Sequence, residues 1–91
     1  MSMEFRDVWQ RVGALEGRTF LTDRGEEFSY RFRKTYAVVS LGDVSIPRTN
    51  FEKVFRRLQQ KEQPATTAVQ GQRFILAIFN SPAIATSKEW V

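Results

Sequence analysis

The sequence predicts an α+β domain: an N-terminal helix, a three- to four-stranded antiparallel β-meander, then two helices packed on one face of the sheet. Three observations lead there. Phe5, Val8, Trp9, Val12 and Leu15 recur at spacings of three and four, the period of a half-buried helix. Residues Glu27 to Arg33 alternate strictly between apolar and polar, the period of a half-buried strand. Past Pro47 the spacing returns to helical, with Phe51, Val54, Phe55 and Leu58 on one stripe.

The first helix is expected over Ser2 to Leu15, with Ser2 as N-cap. Glu4 and Asp7 suit the positive end of its dipole. Gly17 should end it in a left-handed cap, and Gly13 weakens its last turn. A hairpin follows: Arg18 to Thr22 as a strand, Asp23-Arg24-Gly25-Glu26 as the turn, then Glu27 to Arg33. On that second strand Phe28, Tyr30 and Phe32 face one way, and Glu27, Ser29, Arg31 and Arg33 the other. Tyr36 to Leu41 reads as a third strand, Gly42-Asp43 as a tight turn, and Val44-Ser45-Ile46 as a fourth strand stopped by Pro47.

In the second helix Thr49 and Glu52 have the spacing of a capping box, which accounts for Glu52 without a functional role. Gln59 to Ala68 is polar, contains Pro64 and reads as a loop. Thr66 or Thr67 is then positioned to cap a further helix. The apolar run in Gln70 to Asn80 fits a buried strand or a buried helix. Its Leu, Ala and Gln, and the following Pro82, favour the helix. The tail from Ala83 to Val91 is weakly patterned, with Trp90 free to dock on the core. The core is expected from Phe20, Phe28, Tyr30, Phe32, Val38, Phe51, Phe55, Phe74 and Ile78. With 91 residues and no internal repeat, the whole chain, 1–91, reads as a single small domain.

Composition narrows the chemistry. The chain has no His and no Cys. Histidine is the usual general base and the commonest metal ligand, and thiolate the usual soft ligand, so no ordinary zinc site and no Ser-His or Cys-His nucleophile can be assembled. No cofactor, catalytic residue or metal ligand is assigned. What remains is carboxylate chemistry, for which a magnesium-dependent nuclease is the distant option. Its candidates are Asp23, Glu26, Glu27, Asp43 and Lys34, although acids at turns are common for backbone reasons. Trp9 falls on the core stripe of its helix, which disfavours a base-stacking role. The start of the chain lacks a basic segment followed by an apolar one, which favours the cytoplasm. The longest apolar run, Phe74 to Phe79, is too short to cross a bilayer, so no membrane partner is expected.

Fourteen basic residues face ten acidic ones, for a net charge of +4, and ten of the fourteen are Arg. Arginine's planar fork fits phosphate in bidentate fashion, although a GC-rich genome also produces arginine excess. Lys53, Arg56, Arg57, Gln60 and Lys61 fall within a sector of roughly 140° on the second helix at 100° per residue. Arg48 precedes them, and Arg31 and Arg33 lie on the polar face of a strand. These eight residues are the candidate nucleic-acid contacts: Lys and Arg for phosphates, Gln60 for a base edge. A solvated helix face with no partner produces the same pattern.

The order of short motifs resembles small prokaryotic modules of mobile-element and restriction-type proteins. A Trp-containing helix leads into Leu15-Glu16-Gly17-Arg18-Thr19-Phe20-Leu21-Thr22. Then come Gly25-Glu26-Glu27-Phe28-Ser29-Tyr30, Ile46-Pro47-Arg48-Thr49-Asn50-Phe51-Glu52 and Gln72-Arg73-Phe74-Ile75-Leu76-Ala77-Ile78. The resemblance implies a fold more than a function, and no catalytic residue. The function expected is a non-enzymatic nucleic-acid-binding accessory module, with DNA favoured over RNA. The alternative is a protein-interaction or homodimeric assembly module, suggested by the aromatic count and the apolar C-terminal segment.

Overall fold

The computed structural model describes residues 4–59, 69–81 and 83–84. Within them the order is α1 (Phe5–Ala14), β1 (Phe20–Leu21), β2 (Glu27–Phe28), β3 (Tyr30–Phe32), β4 (Tyr36–Val39), β5 (Val44–Pro47), α2 (Arg48–Gln59) and α3 (Gln72–Phe79). The α+β class and the helix–strands–helix–helix order are those the periodicities predict. No helix among the described residues is long and apolar enough to cross a membrane.

α1 buries the predicted stripe of Phe5, Val8, Trp9 and Val12. Its first turn hangs from the Glu4 carbonyl, which accepts from the N–H groups of Asp7 and Val8 at 3.1 and 3.3 Å. Ser2, the expected cap, lies outside the described residues. Gly17 is left-handed as predicted (φ 87°), and its N–H reaches the Tyr30 carbonyl at 3.1 Å. Gly13 has a reason beyond propensity: a Cβ there would come within 2.9 Å of Phe32 Cε2. The missing methyl lets the β3 ring lie on the helix.

The expected antiparallel meander is present in three strands, with the hairpin set apart from it. β1 and β2 form a two-stranded hairpin, and β3, β4 and β5 a separate three-stranded antiparallel sheet. The alternating segment Glu27 to Arg33 is divided at Ser29. There the Ser29 N–H donates to the Ser40 hydroxyl at 3.0 Å, and Ser40 N–H donates to the Ser29 carbonyl at 2.9 Å. A side chain thus stands in for a ladder carbonyl, and the strand bends from one sheet to the other. The hairpin turn is held by Thr22, whose hydroxyl accepts from the N–H groups of Arg24 and Glu26 at 3.3 and 3.1 Å.

Register sets which side chains are inside. Tyr30 lies opposite Val39, Phe32 opposite Ala37, and Ala37 opposite Ile46. Tyr30, Ala37, Val39 and Ile46 are buried. Val38, expected in the core, instead sits on the outer face between Arg31 and Ser45. Tyr36-Ala37-Val38-Val39 has no apolar alternation, so its parity was not readable from its own residues. Pro47 closes β5, an edge strand that tolerates the missing donor.

α2 starts at Arg48, directly after the strand, so Thr49 lies inside the first turn and is not the cap. Glu52 is accordingly not half of a capping box. Its carboxylate accepts from Arg56 Nη2 at 2.9 Å, one turn on. α3 settles the ambiguous C-terminal run as a helix that buries Phe74, Ile75, Ile78 and Phe79. The Pro64 loop, the Thr66 or Thr67 cap and Trp90 lie outside the described residues.

All eight Phe join the ring network with Trp9 and Tyr30. Trp9 touches Phe5, Phe32 and Phe51, with Phe55 and Phe79 one ring further out. A second group, Phe20, Phe28, Tyr30 and Phe74, ties the hairpin to α3. Burying such side chains is worth roughly 1.5–3 kcal/mol each, enough to hold so short a chain without disulfides.

Two substitutions probe this packing. Gly71 is left-handed (φ 77°), and a Cβ there would approach Ile46 Cγ1 to 2.7 Å. Gly25 is also left-handed (φ 80°) but faces open space. Gly25→Ala should cost about 1 kcal/mol from backbone strain alone, and Gly71→Ala about 3 kcal/mol from strain plus collision. Urea denaturation measures both, and equal losses would show that the contact with Ile46 is not felt.

Tyr30 supplies the second test. Its hydroxyl donates to the Val12 carbonyl at 2.6 Å. Burial pushes this phenol well above its ordinary range, and the Glu16 carboxylate pushes the same way. A raised folded pKa means that the neutral phenol is favoured by folding. Its contribution is full below the unfolded value of about 10 and is lost as pH rises beyond it. Tyr30→Phe should cost about 1 kcal/mol at neutral pH. The gap between wild type and variant should shrink from pH 10 upward, as followed by denaturation at stepped pH.

Candidate nucleic-acid interface

α2 has one face locked in the core and one in solvent. Phe51, Val54 and Phe55 are buried, and Leu58 packs against them. At 100° per residue, the direction opposite this stripe is occupied by Thr49, Lys53 and Arg56. All three are exposed. Arg57 flanks them, half-buried and with a partner of its own. Arg48 lies on the other flank, exposed, with its guanidinium carbon 5.3 Å from the Phe5 ring centroid. The helix therefore carries four cations against Glu52 alone. Arg56 and Arg57, in its last turn, also complement the negative end of the helix dipole. Thr49, freed from capping, adds a hydroxyl to the same face. No sequence signal marked it, because its spacing to Glu52 pointed to a cap.

Arg31 and Arg33 occupy a different surface. Arg31 pairs across the ladder with Val38, which pairs with Ser45, and this row faces away from the buried Tyr30, Ala37 and Val39. Arg33 extends the same row set, its N–H donating to the Tyr36 carbonyl at 2.8 Å. Its guanidinium also lies 3.9 Å from Glu16 and donates to the Phe32 carbonyl at 3.1 Å. Tyr36, not singled out by sequence, is 39% exposed beside it. Only the parity of β4 could have revealed that, through the small Ala37 that must face inward.

The six predicted contacts among the described residues divide between two elements. The sheet turns its buried side chains, and α2 its own, toward the same core. Their exposed sets point away from each other across it. Lys53, Arg56, Arg57 and Arg48 share a helix, and Arg31 and Arg33 share the sheet's outer face. Gln60 and Lys61 lie outside the described residues. Several arginines are paired with acids: Arg6 with Glu4, Arg33 with Glu16, Arg56 with Glu52 and Arg73 with Glu26. These pairs are exposed and weak, so they trim the positive field without cancelling it.

No protein-family model, curated protein or solved structure matches the chain. The carboxylates named as nuclease candidates are spread over separate features. Glu26 pairs with Arg73 at 3.4 Å, Asp23 borders a hollow of about 550 Å3 with Leu21, Leu76 and Ala77, and Asp43 borders another of about 360 Å3 on the sheet's outer face. Among the described residues no group of three or more acidic side chains is placed to hold a metal ion. Lys34 is exposed, and its carbonyl accepts from Trp9 Nε1 at 3.0 Å. Trp9 itself is 7% exposed, so its face is spent on Phe5, Phe32 and Phe51.

Because Lys53 and Arg56 are exposed, with Arg56 in a surface pair to Glu52, removing them should barely affect the fold. Lys53→Ala with Arg56→Ala should shift the midpoint of thermal unfolding by no more than about 4 °C. A larger drop on calorimetry would mean that this face is structural.

Proposed function

We propose that this chain is a non-enzymatic, cytoplasmic nucleic-acid-binding module that holds duplex DNA on the solvent face of α2. The observation that carries the proposal is the charge of that helix: Arg48, Lys53, Arg56 and Arg57 against one acid, on an element whose opposite side is fixed in the core. Lys53 and Arg56 contact phosphates, and Thr49 adds a hydroxyl to the same backbone. Gln60 and Lys61 continue the run in sequence, with Gln60 suited to a base edge. A convex helix face fits the major groove of B-form DNA. The narrow major groove of A-form RNA excludes it, which favours DNA.

A protein-docking reading draws on a separate observation. Leu21 is 58% exposed beside the hollow lined by Leu76 and Ala77. Among the described residues these three give a partly apolar surface beside α3, bordered by Asp23, Gln72, Arg73 and Asn80.

Fluorescence anisotropy with a labelled duplex separates the two readings. Wild type should bind at low salt and weaken steeply as salt rises. Lys53→Ala with Arg56→Ala should reduce the magnitude of the log–log salt slope by about 2, near 0.9 per phosphate contact. Glu52→Gln should tighten binding, and Leu21→Lys should not weaken it. No binding at low salt, or a loss confined to Leu21→Lys, would remove the DNA reading.

A further inference from the structure

We infer that the outer face of the β3–β4–β5 sheet is a second site, for single-stranded nucleic acid. Tyr36 would be the base-stacking surface, and Arg31 and Arg33 the phosphate contacts. This inference does not rest on the α2 reading, because it uses other residues on the other side of the core.

Three features of the face converge. The first is an aromatic ring in the open: Tyr36 lies on β4, the central strand, and is 39% exposed. Each of the other rings described above has found a neighbouring ring, and Tyr36 has none in that network. The second is charge at a fixed spacing. Arg31 lies on the edge strand β3 and Arg33 just past its end, where its N–H still pairs with the Tyr36 carbonyl; in extended backbone two residues span about 6.7 Å at 3.3–3.4 Å per residue. The third is a polar hollow of about 360 Å3 next to Arg31, lined by Ser29, Arg31, Val38, Ser40 and Asp43 among others. The Ser40 hydroxyl accepts from the Ser29 N–H, which leaves its own proton to donate.

The acids nearby define where a strand would lie. Asp43 borders the hollow, and Glu27 shares the parity of Arg31 further along the chain. Both would repel phosphate, so the backbone is steered toward the Arg31–Arg33 end, where Tyr36 stands. Glu16 competes for Arg33, but the pair is 3.9 Å apart and about half exposed on both sides. Such a pair is worth little and yields to a phosphate.

A sheet face with an exposed ring suits unpaired bases. In a duplex the base faces are already stacked and cannot reach Tyr36, whereas a single strand presents them. Stacking tolerates any base, so recognition without strong sequence preference follows.

The test uses the intact chain and a fluorescein-labelled fifteen-nucleotide oligothymidylate, which forms no duplex. Tyr36→Ala should weaken binding on the order of tenfold, and Tyr36→Phe, which keeps the ring, should stay near wild type. Arg31→Glu should weaken binding and flatten its salt dependence. Arg31 is exposed with no ion-pair partner among the described residues, so this variant remains informative if Tyr36→Ala fails to fold. Lys53→Glu with Arg56→Glu should keep oligothymidylate binding while losing the duplex. The inference is overturned if wild type does not bind the oligothymidylate, or if neither Tyr36→Ala nor Arg31→Glu weakens it. It is equally overturned if the α2 variant abolishes both activities. Failure of the wild type to bind duplex would count against the α2 reading alone and leave this one standing.

Discussion

The fold depends on where Trp9 goes. Its indole meets Phe5 from its own helix, Phe32 from β3 and Phe51 from α2, and its Nε1 donates to the Lys34 carbonyl. One side chain therefore joins the first helix, the sheet and the second helix, and also pins the turn between β3 and β4. Phe51 passes the contact on to Phe79 in α3. A large ring with a satisfied polar edge is well suited to this position, since an unpaired indole N–H would offset a sizeable part of what the ring burial contributes. The same contacts explain why Gly13 is a glycine: Phe32 can reach Trp9 only by lying across the helix backbone.

The bend at Ser29 follows from having two ring groups to serve. Phe28 is committed to Phe74 on α3, and Phe32 to Trp9 on α1. A straight strand would carry all three inward residues along one flat sheet. Breaking it after Phe28 lets the hairpin cover α3 while β3 covers α1. Because every helix is drawn to the inner side by these rings, the outer side of the three-stranded sheet receives no covering element among the described residues. Arg31, Arg33 and Tyr36 are exposed as a consequence of core packing.

The same logic makes α2 a rigid carrier of charge. Its buried residues are held by α1, α3 and β5, so Lys53 and Arg56 extend from a fixed axis. Their disposition resembles neither a flexible basic tail nor a random scatter. Elementary helix geometry placed them together from sequence numbers alone. What sequence spacing misjudged was Thr49 and Glu52. A capping box requires a free residue before the helix, and β5 runs into α2 without one. Glu52 instead neutralises part of Arg56, and Thr49 is left on the basic face.

By itself the sequence determined the types of the elements before α3, the buried stripes of α1 and α2 and the inward set Phe28, Tyr30 and Phe32. These are local periodicities, and a period survives whatever the element later packs against. It also determined that histidine and cysteine chemistry are absent, which is a matter of composition. Tertiary structure alone decided three things: that Val38 faces out, that Glu27 to Arg33 serves two sheets, and that the basic residues divide between two faces. Each depends on the relation between separate elements. Val38 depends on the register with Arg31 and Ser45, the bend on rings in separate helices, and the division on which side of the sheet the helices occupy. No residue carries that information in its own neighbourhood, because sidedness is set only when the partners meet across the core.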